Sequence, residues 1–407
     1  MQHEISDLTP NLTPTGAHSP NRRMGSALNP EHLKLMNGRI TAIDALRGLD
    51  MLLLCGGATT LQLLLQHTVG NEAPAWLMLQ FTHAEWGKDF TCWDLVMPLF
   101  IFITGASMPF AFQKYKTKGG NHWRRKTTPR IIRRVLLLFL LGMLVQGNLT
   151  CADTEHMSLF CNTLQAIAEG YLIAAIILMF FSLRGQITAC AFCLIAYWAL
   201  LRFMPYNGQP AGLFEPHNNL AIYIDHKLQG SWQDGTPYTW ILTAFSFGAL
   251  TLMGCICGEL IRLYKGHKAI LIMLLTGSTA LLAACMLEQD TPLIKHIYTT
   301  TAVLWSGGWC IILLAIFHLL FDCSGPYLAK CTLPLQVFGC NALLAYLLTE
   351  IHGPHGHNIW WGVVHPLIYG LADKFHNATE LAHAGLSLLL LWLFLFYLFK
   401  RKIFLRV

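Results

Sequence analysis

The chain has 407 residues and a formal net charge of +6, and it is 54% hydrophobic but only 12% charged. A soluble domain carries about 25% charged residues. A mean hydropathy of +0.46 over this length therefore excludes a protein whose whole surface faces water. The composition predicts an all-α polytopic membrane protein whose first partner is the lipid bilayer, and no nucleic-acid partner is expected.

The N-terminal segment, residues 1–38, is polar and rich in Pro, Asn and Ser. It lacks the apolar core of a signal peptide, and we expect a disordered cytoplasmic tail. Residues 39–407 are expected to form one transmembrane domain. Most cysteines lie in apolar runs and act there as small hydrophobic side chains. Cys151 and Cys161 flank a polar loop and are a candidate disulfide if that loop lies in an oxidising compartment.

Long apolar runs recur along the chain, and each approaches the length of about 20 residues that crosses a bilayer. They predict about ten transmembrane helices, near 45–66, 94–112, 133–149, 163–183, 186–204, 239–261, 268–287, 298–321, 333–351 and 382–399. The run from 359 to 371 is too short and contains His365 and Pro366. It favours an interfacial or re-entrant segment.

Loop charges predict the orientation of the spans. Lysines and arginines collect before span 1, after spans 2, 4 and 6, and at the C-terminus, whereas we interpret the opposite loops as acidic or neutral. Lys and Arg stay on the cytoplasmic side of a membrane. An even number of spans with both termini cytoplasmic is therefore expected.

Ionisable residues near the spans are candidates for function, because charge inside a membrane is costly. Asp44, Arg47 and Asp50 follow one another at i,i+3 spacing in span 1 and predict a salt-bridge cluster, either as a brace or as part of a site. Asp94 opens span 2, where capping of the helix is an equally simple explanation.

Uncharged polar residues also recur in the apolar part of the chain. Gln165 and Glu169 lie on one face of span 4. Together with Asn162 and Asn341 they predict a polar seam inside the bundle, because such residues face other helices rather than lipid.

His83 lies in the loop before span 2, with Glu85 and Asp89 nearby and Trp86 as a predicted interface residue. An imidazole titrates near neutral pH and can take a proton from an attacking amine. The sequence therefore makes His83 a candidate general base, with a solvated loop residue as the alternative.

A second group of histidines lies between spans, in a segment broken by Gly and Pro. Its members are His352, His355, His357 and His365. No Cys or carboxylate completes a zinc pattern, so we expect a polar, substrate-facing loop and no metal.

Two motifs carry a family resemblance. Residues 39–48 read RITAIDALRG, and the HAEWG stretch that begins at His83 precedes a DLVMPLFIFITG helix that begins at Asp94. They resemble the transmembrane acyltransferase family typified by the lysosomal heparan-alpha-glucosaminide N-acetyltransferase. Weaker similarities follow at 164–168, 254–258, 292–299 and 338–346, so that the resemblance covers roughly residues 39 to 400.

The resemblance implies transfer of acetyl from cytoplasmic acetyl-CoA to the amino group of glucosamine, or of a terminal glucosaminide, across the membrane. The family's active histidine falls on His83, with Asp94 or Glu85 orienting it. It further implies a bacterial branch that carries only the membrane core, in the inner membrane. The family's first span has an asparagine before paired glycines, where this chain has Leu54 and Cys55, so the acceptor stays open.

The resemblance also suggests where substrates bind. The phosphates of CoA are expected near basic residues, whose other reading is topology alone: Arg47, Lys114, Arg124, Arg133 and Arg134. The pantetheine arm is expected along Gln165 and Asn341. The acceptor sugar is expected against side chains that are otherwise interface residues: Glu85, Trp86, Trp360 and Trp361.

Three questions stay open at this level. His83 acts either as a general base or as a transient acetyl carrier. The acceptor group is an amine or, in the alternative, a hydroxyl of an envelope polysaccharide. A transporter without chemistry is the rival from another class, with Gly56–Gly57 and Gly307–Gly308 as candidate helix breaks. A homodimer is left open.

Overall fold

The computed structural model describes residues 40–70, 73–119, 122–145, 147, 157–264, 266–324, 326–352, 357–372, 374 and 378–405. The predicted tail and Cys151 lie outside the described residues. Most of the described residues are helical and only four lie in strands, which confirms the all-α fold class.

The elements follow in chain order. They are α1 (Thr41–Leu52), a π-turn (Leu53–Gly57), α2 (Ala58–Val69), α3 (Ala75–Leu79), a 3-10 turn (Trp93–Leu95), α4 (Val96–Gly119), α5 (Trp123–Val145), α6 (Thr163–Phe180), α7 (Leu183–Phe203), β1 (Phe214–Glu215), β2 (Asn218–Asn219), α8 (Leu220–Gln229), a 3-10 turn (Gly230–Trp232), α9 (Ala244–Leu263), α10 (His267–Leu287), α11 (Thr300–His318), a π-turn (Leu319–Cys323), α12 (Pro326–Cys331), α13 (Leu333–Cys340), α14 (Ala342–Glu350), α15 (Ile359–Ala372) and α16 (Thr379–Lys400). The two strands pair antiparallel.

Over the described residues, eight helices are long and apolar enough to cross a membrane, so the chain is a multi-pass membrane protein. They correspond to Thr41–Val69, Trp93–Lys116, Thr163–Phe180, Leu183–Phe203, Ala244–Leu263, His267–Leu287, Thr300–Cys323 and Thr379–Lys400. The other two predicted spans are also helical, but neither is a single long apolar helix. The third begins as the strongly basic α5, and the ninth is broken at Asn341 into α13 and α14. The short apolar run is the 14-residue α15.

The centre of the bundle is α9, which packs on α4, α6 and α7. Glycines let α4 and α9 meet backbone to backbone. A Cβ atom added at Gly254 would lie 2.0 Å from the carbonyl oxygen of Phe102, and one at Gly105 would lie 2.0 Å from that of Thr251. Small residues allow this approach between membrane helices, and the contact fixes α4, whose first turn follows Asp94.

The first span packs on α13 in the same manner. A Cβ atom at Gly48 would lie 1.8 Å from the carbonyl oxygen of Leu335. The free N–H groups of Thr41 and Ala42, which begin α1, donate to the carboxylate of Asp322 at 3.0 and 3.3 Å. A helix N-terminus favours such an anionic partner.

The predicted charge cluster of span 1 forms only in part. Arg47 pairs with Asp44 at 3.6 Å. Asp50 is fully buried, and neither of its carboxylate oxygens has a hydrogen-bond partner among the described residues. The role of Arg47 in binding the donor stays a prediction.

One of the two candidate breaks interrupts its helix. Gly56 has φ +113°, and the chain bends there between α1 and α2. The Thr60 hydroxyl donates to the Gly56 carbonyl oxygen at 2.7 Å, which satisfies a backbone group that the bend exposes. At Gly307–Gly308, in contrast, α11 continues without a break.

A second, smaller core lies beside the bundle, at the end where α7 finishes and α11 begins. It is formed by Tyr197, Leu201, Tyr206, Leu220, Ala221, Leu242, Ile294 and Ile297, with Trp86 packed against it. This core joins the hairpin β1–β2, α8 and the loop before α11, and it supports the loop that contains His83.

Candidate active site

The loop between α3 and α4 is closed by hydrogen bonds that bring its two ends together. The N–H of Trp93 donates to the Gln80 carbonyl oxygen at 3.1 Å, and the Thr91 hydroxyl donates to the Thr82 carbonyl oxygen at 2.7 Å. His83, next to Thr82, is thereby held against the start of the second span.

Asp94 is the centre of the site. Its Oδ1 lies 2.8 Å from Nδ1 of His83 and 3.0 Å from Nζ of Lys295. Its Oδ2 accepts hydrogen bonds from the N–H of Ala84 at 3.1 Å, the N–H of Thr91 at 3.2 Å and the Thr91 hydroxyl at 3.1 Å. The side chain is only 2% exposed. A carboxylate in such a place is stable as an anion only with donors of this number and charge.

Capping explains only some of the contacts of Asp94. The N–H of Asp94 donates to the Thr91 hydroxyl at 3.3 Å, and the N–H of Thr91 donates to Oδ2 of Asp94 at 3.2 Å, which is the reciprocal pattern of a capping box. The carboxylate also contacts His83, Lys295 and the N–H of Ala84, which capping does not require.

Lys295 enters from the loop between α10 and α11. This loop is held by the Thr299 hydroxyl, which donates to the Pro292 carbonyl oxygen at 2.9 Å and accepts the N–H of Ile294 at 3.1 Å. The Lys295 Nζ lies 3.1 Å from Nδ1 of His83, and the side chain is 8% exposed. Burial lowers the pKa of Lys295, and the charge of Asp94 opposes this shift.

Two partners lie within hydrogen-bond distance of Nδ1 of His83. A protonated Nδ1 donates to Asp94 at 2.8 Å, whereas an unprotonated Nδ1 accepts a hydrogen from the Lys295 ammonium at 3.1 Å. The shorter contact with the carboxylate favours the tautomer with the proton on Nδ1, which leaves the lone pair of Nε2 free. The His83 side chain is 51% exposed, so this ring can meet a substrate.

Trp86 forms a wall beside the histidine loop. Its Nε1–H donates to the Phe214 carbonyl oxygen at 2.8 Å, and its ring stacks on His296 at 5.0 Å. Tyr238 covers His296 at 4.7 Å. Burial and then the charge of Lys295 lower the pKa of His296 to about 4, so this second imidazole is uncharged at neutral pH.

Glu85 does not contact His83 in this arrangement. It forms an exposed ion pair with Lys88, which lowers the pKa of Glu85. Asp94 rather than Glu85 is therefore hydrogen-bonded to His83, and the part of Glu85 in acceptor binding stays a prediction.

A cavity of about 100 Å³ lies between the first turns of α4 and α6. It is lined by Leu54, Val96, Met97, Phe100, Thr163, Leu164, Ile167, Tyr346 and Glu350. Val96 and Met97 follow Asp94 within one helical turn. The cavity thus lies beside the helical turn that follows Asp94 and reaches Leu54 at the bend of the first span.

Two of the predicted phosphate ligands are engaged by the protein itself. Nε of Arg124 donates to the Met179 carbonyl oxygen at 2.9 Å, and the guanidinium of Arg134 lies 4.3 Å from the ring centre of Tyr171. These contacts fix α5 against α6.

Two more of the five, Lys114 and Arg133, are exposed. Arg133 lies on an open face of α5 formed by Arg125, Thr128, Pro129, Ile132, Arg133 and Leu136. This face combines two guanidinium groups with apolar side chains.

The predicted seam residues serve the fold. Gln165 accepts the N–H of Asn162 at 3.2 Å as part of the capping box that begins α6, and it also accepts the N–H of Cys161 at 2.8 Å. Asn341 donates to the Ile403 carbonyl oxygen and accepts the N–H of Leu405, both at 3.1 Å. Both amides are buried and used by nearby backbone groups, and their part in donor binding stays a prediction.

The two tryptophans of α15 lie in an aromatic group with α16. Trp360 donates to the Ser387 carbonyl oxygen at 3.2 Å. Trp361 packs on His365 at 4.8 Å, and His365 stacks on His383 at 5.5 Å. No contact of the described residues joins this group to His83, so a shared acceptor site stays a prediction.

The histidine-rich segment is described only in part, since His355 lies outside the described residues. His352 Nδ1 lies 2.9 Å from the Glu350 carbonyl oxygen. Within the part of the chain that the structure describes, no three His, Cys, Asp or Glu side chains are grouped so as to hold a metal ion.

Lys295 is the member of this charged cluster that the sequence motifs do not single out, because it lies in one of the weakly similar stretches, 292–299. A signal was present, because the loops interpreted as acidic or neutral in fact contain Lys88 and Lys295. A lysine on the side that the charge rule depletes of lysine requires a local partner, and Asp94 is that partner.

No protein-family model matches the chain. Two curated proteins are similar to it over most of its length. The heparan-alpha-glucosaminide N-acetyltransferase of Mus musculus is 22% identical over 448 aligned positions, which cover 96% of this chain and 64% of that protein. That of Homo sapiens is 21% identical over 384 positions, which cover 80% and 56% respectively.

The chain thus spans about three fifths of the length of the curated relatives that it matches. Identity at this level over most of a chain indicates common descent but leaves substrate open. The chain is a distant relative of heparan-alpha-glucosaminide N-acetyltransferase.

Proposed function

We propose that the chain is a transmembrane acetyltransferase that uses His83 as its base. Acetyl-CoA is the donor on the cytoplasmic face, and the acceptor is the amino group of glucosamine or of a terminal glucosaminide on the opposite face. The single observation that supports this most is the His83 ring, half exposed at the end of a span and held by a buried carboxylate at 2.8 Å.

The chemistry follows from the free lone pair on Nε2. The uncharged acceptor amine attacks the thioester carbonyl carbon while its proton passes to Nε2 of His83. The tetrahedral intermediate then breaks its C–S bond, and the thiolate of CoA takes the proton from the imidazolium. Asp94 stabilises that imidazolium while it exists. General-base assistance of this kind is worth about 10²–10⁴ in rate.

The position of the cavity supports a donor route through the bundle. A cavity of about 100 Å³ suits the thin acyl end of a pantetheine arm, whereas it is too small for a nucleotide. The phosphates would then stay at the other end of the bundle. There Arg133 and Arg125 present guanidinium groups on an open face, which suits phosphate oxygens.

The proposal includes a location and an orientation. Both termini face the cytoplasm, and His83 lies on the extracytoplasmic side of a bacterial inner membrane. The charge distribution of the loops supports the orientation, and the eight long apolar helices of the described residues support a membrane setting.

The decisive experiment uses the full chain in lipid nanodiscs with acetyl-labelled acetyl-CoA and glucosamine. We expect labelled N-acetylglucosamine from the wild type and at least about a hundred-fold less from His83→Ala. His217→Ala is the matched control, because His217 is exposed in a loop of the same end of the chain, and it should keep wild-type turnover.

The same assay separates the rival functions. A hydroxyl acceptor that outcompetes glucosamine would indicate O-acetylation, and no thioester turnover with any acceptor would favour a transporter. Omitting the acceptor tests the order of steps, since release of one CoA per protein would indicate an acetyl-imidazole on His83.

A further inference from the structure

Lys295 is a charged residue that the general-base step above does not use. Its ammonium is 8% exposed and lies 3.0 Å from Oδ1 of Asp94 and 3.1 Å from Nδ1 of His83. A lysine so buried has little contact with a substrate, so its effect must pass through its two neighbours.

An aspartate alone beside His83 would favour the wrong charge state for a base. A carboxylate within hydrogen-bond distance stabilises the protonated form of its neighbour. A histidine that holds its proton at neutral pH cannot accept another from an amine. The site needs the hydrogen bond from Asp94 to orient the ring and enough of its negative charge to stabilise the transient imidazolium, but the uncompensated charge would keep the ring protonated before the amine arrives.

The ammonium of Lys295 supplies the compensation. It neutralises Asp94 and also faces the Nδ1 edge of the ring, where a second positive charge on the imidazole would be repelled. We propose that Lys295 is a positioning residue that keeps the His83 imidazole uncharged at neutral pH while Asp94 holds its orientation. Its value for catalysis rests on the proposed function, but its effect on the charge of His83 does not.

The other charged and titratable groups around His83 leave this balance to Lys295 and Asp94. They are Glu85, Lys88 and Asp89 of its own loop, His296 of the loop before α11, and Tyr238, which covers His296. Glu85 and Lys88 cancel as an exposed pair, and Asp89 is exposed to solvent. His296 is uncharged near neutral pH because its pKa is about 4.

The test measures the charge of His83 without any acetyl transfer. Diethyl pyrocarbonate modifies an imidazole only in its uncharged form. Mass spectrometry of the peptide that contains His83 gives the rate of modification at this residue alone. The pH at which this rate is half its maximum reports protonation of His83. We would compare the full-length wild type, Lys295→Met, Lys295→Arg, Asp94→Asn and the double variant Asp94→Asn/Lys295→Met, all in nanodiscs.

Opposite shifts are expected from the two single charge removals. Lys295→Met should raise the midpoint by about one pH unit. This is the low end of the effect of a charge within about 4–6 Å of a titrating group, and we expect the low end because solvent screens the half-exposed ring of His83. Asp94→Asn should lower the midpoint by a similar amount. The double variant should return close to the wild type, and Lys295→Arg should keep the wild-type midpoint.

Lys88→Met is the matched control for a lysine of the same loop region, because its side chain is 69% exposed. It should leave the midpoint unchanged. An unchanged or lowered midpoint in Lys295→Met overturns the proposal. If that variant does not fold, an unchanged or raised midpoint in Asp94→Asn overturns it instead. If the wild type shows no acetyltransferase activity but the midpoints shift as expected, the proposed function is contradicted and the role of Lys295 is not.

Discussion

The carboxylate of Asp94 holds Nδ1 of His83 at 2.8 Å across eleven positions of sequence. Replacing the carboxylate by an amide should release the ring and allow the other tautomer. We expect Asp94→Asn to lower kcat for acetyl transfer by about 10²–10⁴, as loss of the orienting acid does in other histidine-base sites. Asp89→Asn, at an exposed position of the same loop, should have no effect. Equal rates for the two variants would remove Asp94 from the mechanism.

Trp86 should support the histidine loop through its indole N–H as well as its ring. Trp86→Phe keeps a ring that can stack on His296 but loses the hydrogen bond to the Phe214 carbonyl oxygen. The loss should lower the free energy of unfolding by about 1 kcal/mol, measured by thermal unfolding in detergent. Trp86→Ala should cost clearly more, because it also removes the stacked ring. A phenylalanine variant as unstable as the alanine variant would show that the hydrogen bond dominates.

The close approach of α4 and α9 should not tolerate a side chain at its centre. Gly254→Ala places a methyl group 2.0 Å from the Phe102 carbonyl oxygen. Backbone cannot yield as a side chain does, so we expect a loss of about 1–3 kcal/mol or more in stability. Gly362→Ala is the matched control, since nothing lies within 4 Å of its added Cβ atom. If both variants unfold at the same temperature, the two helices are not in backbone contact.

The start of α6 offers a test of capping within the membrane domain. Asn162 accepts the N–H of Leu164 at 2.9 Å and the hydroxyl of Tyr346 at 3.0 Å. Asn162→Ala should therefore cost about 0.5–2 kcal/mol from the cap, and more from the stranded tyrosine hydroxyl. Ser182→Ala provides the comparison, because Ser182 occupies the same position before α7 without a side-chain capping bond. We expect the thermal midpoint to fall only for the first.

Lowering the pH should destabilise the packing of Trp86 on His296, because His296 must then take up a proton in a buried position. Its folded-state pKa is about 4, below the ordinary 6.5, chiefly because the ring is buried. Between these values the unfolded chain binds a proton that the folded chain does not, so stability falls as the pH is lowered from about 6.5 to 4. His296→Phe removes this titration and keeps a ring for Trp86 to stack on. Its unfolding temperature should decline less over this range than that of the wild type, whereas His217→Phe should behave as the wild type.

Most of the helical framework could be read from the sequence, because a membrane requires long apolar runs and each run has one solution, a helix. The bend at Gly56 was also visible as a glycine pair. The break at Asn341 could not be read from the sequence. The Asn341 side chain donates to the carbonyl oxygen of Ile403, which lies 62 positions further along the chain. An apolar run contains no information about a partner so distant.

The candidate site divides in the same way. His83 and Asp94 lie within one short segment, so their proximity was a reasonable expectation. The ammonium of Lys295 comes from 201 positions beyond Asp94, and no spacing within a motif can predict that contact. Gln165 was noticed for its polarity, but polarity did not distinguish a donor site from the capping box that the structure places there.

The glycine-mediated contact between α4 and α9 also limits which parts of the candidate site can move. Two helices that touch through their main chains have no layer of side chains on which to slide. Asp94 lies at the end of this contact, whereas His83 and Lys295 lie in loops. A movement that admitted substrates would therefore displace the loop of His83 or the loop of Lys295, with Asp94 as the fixed point to which both return.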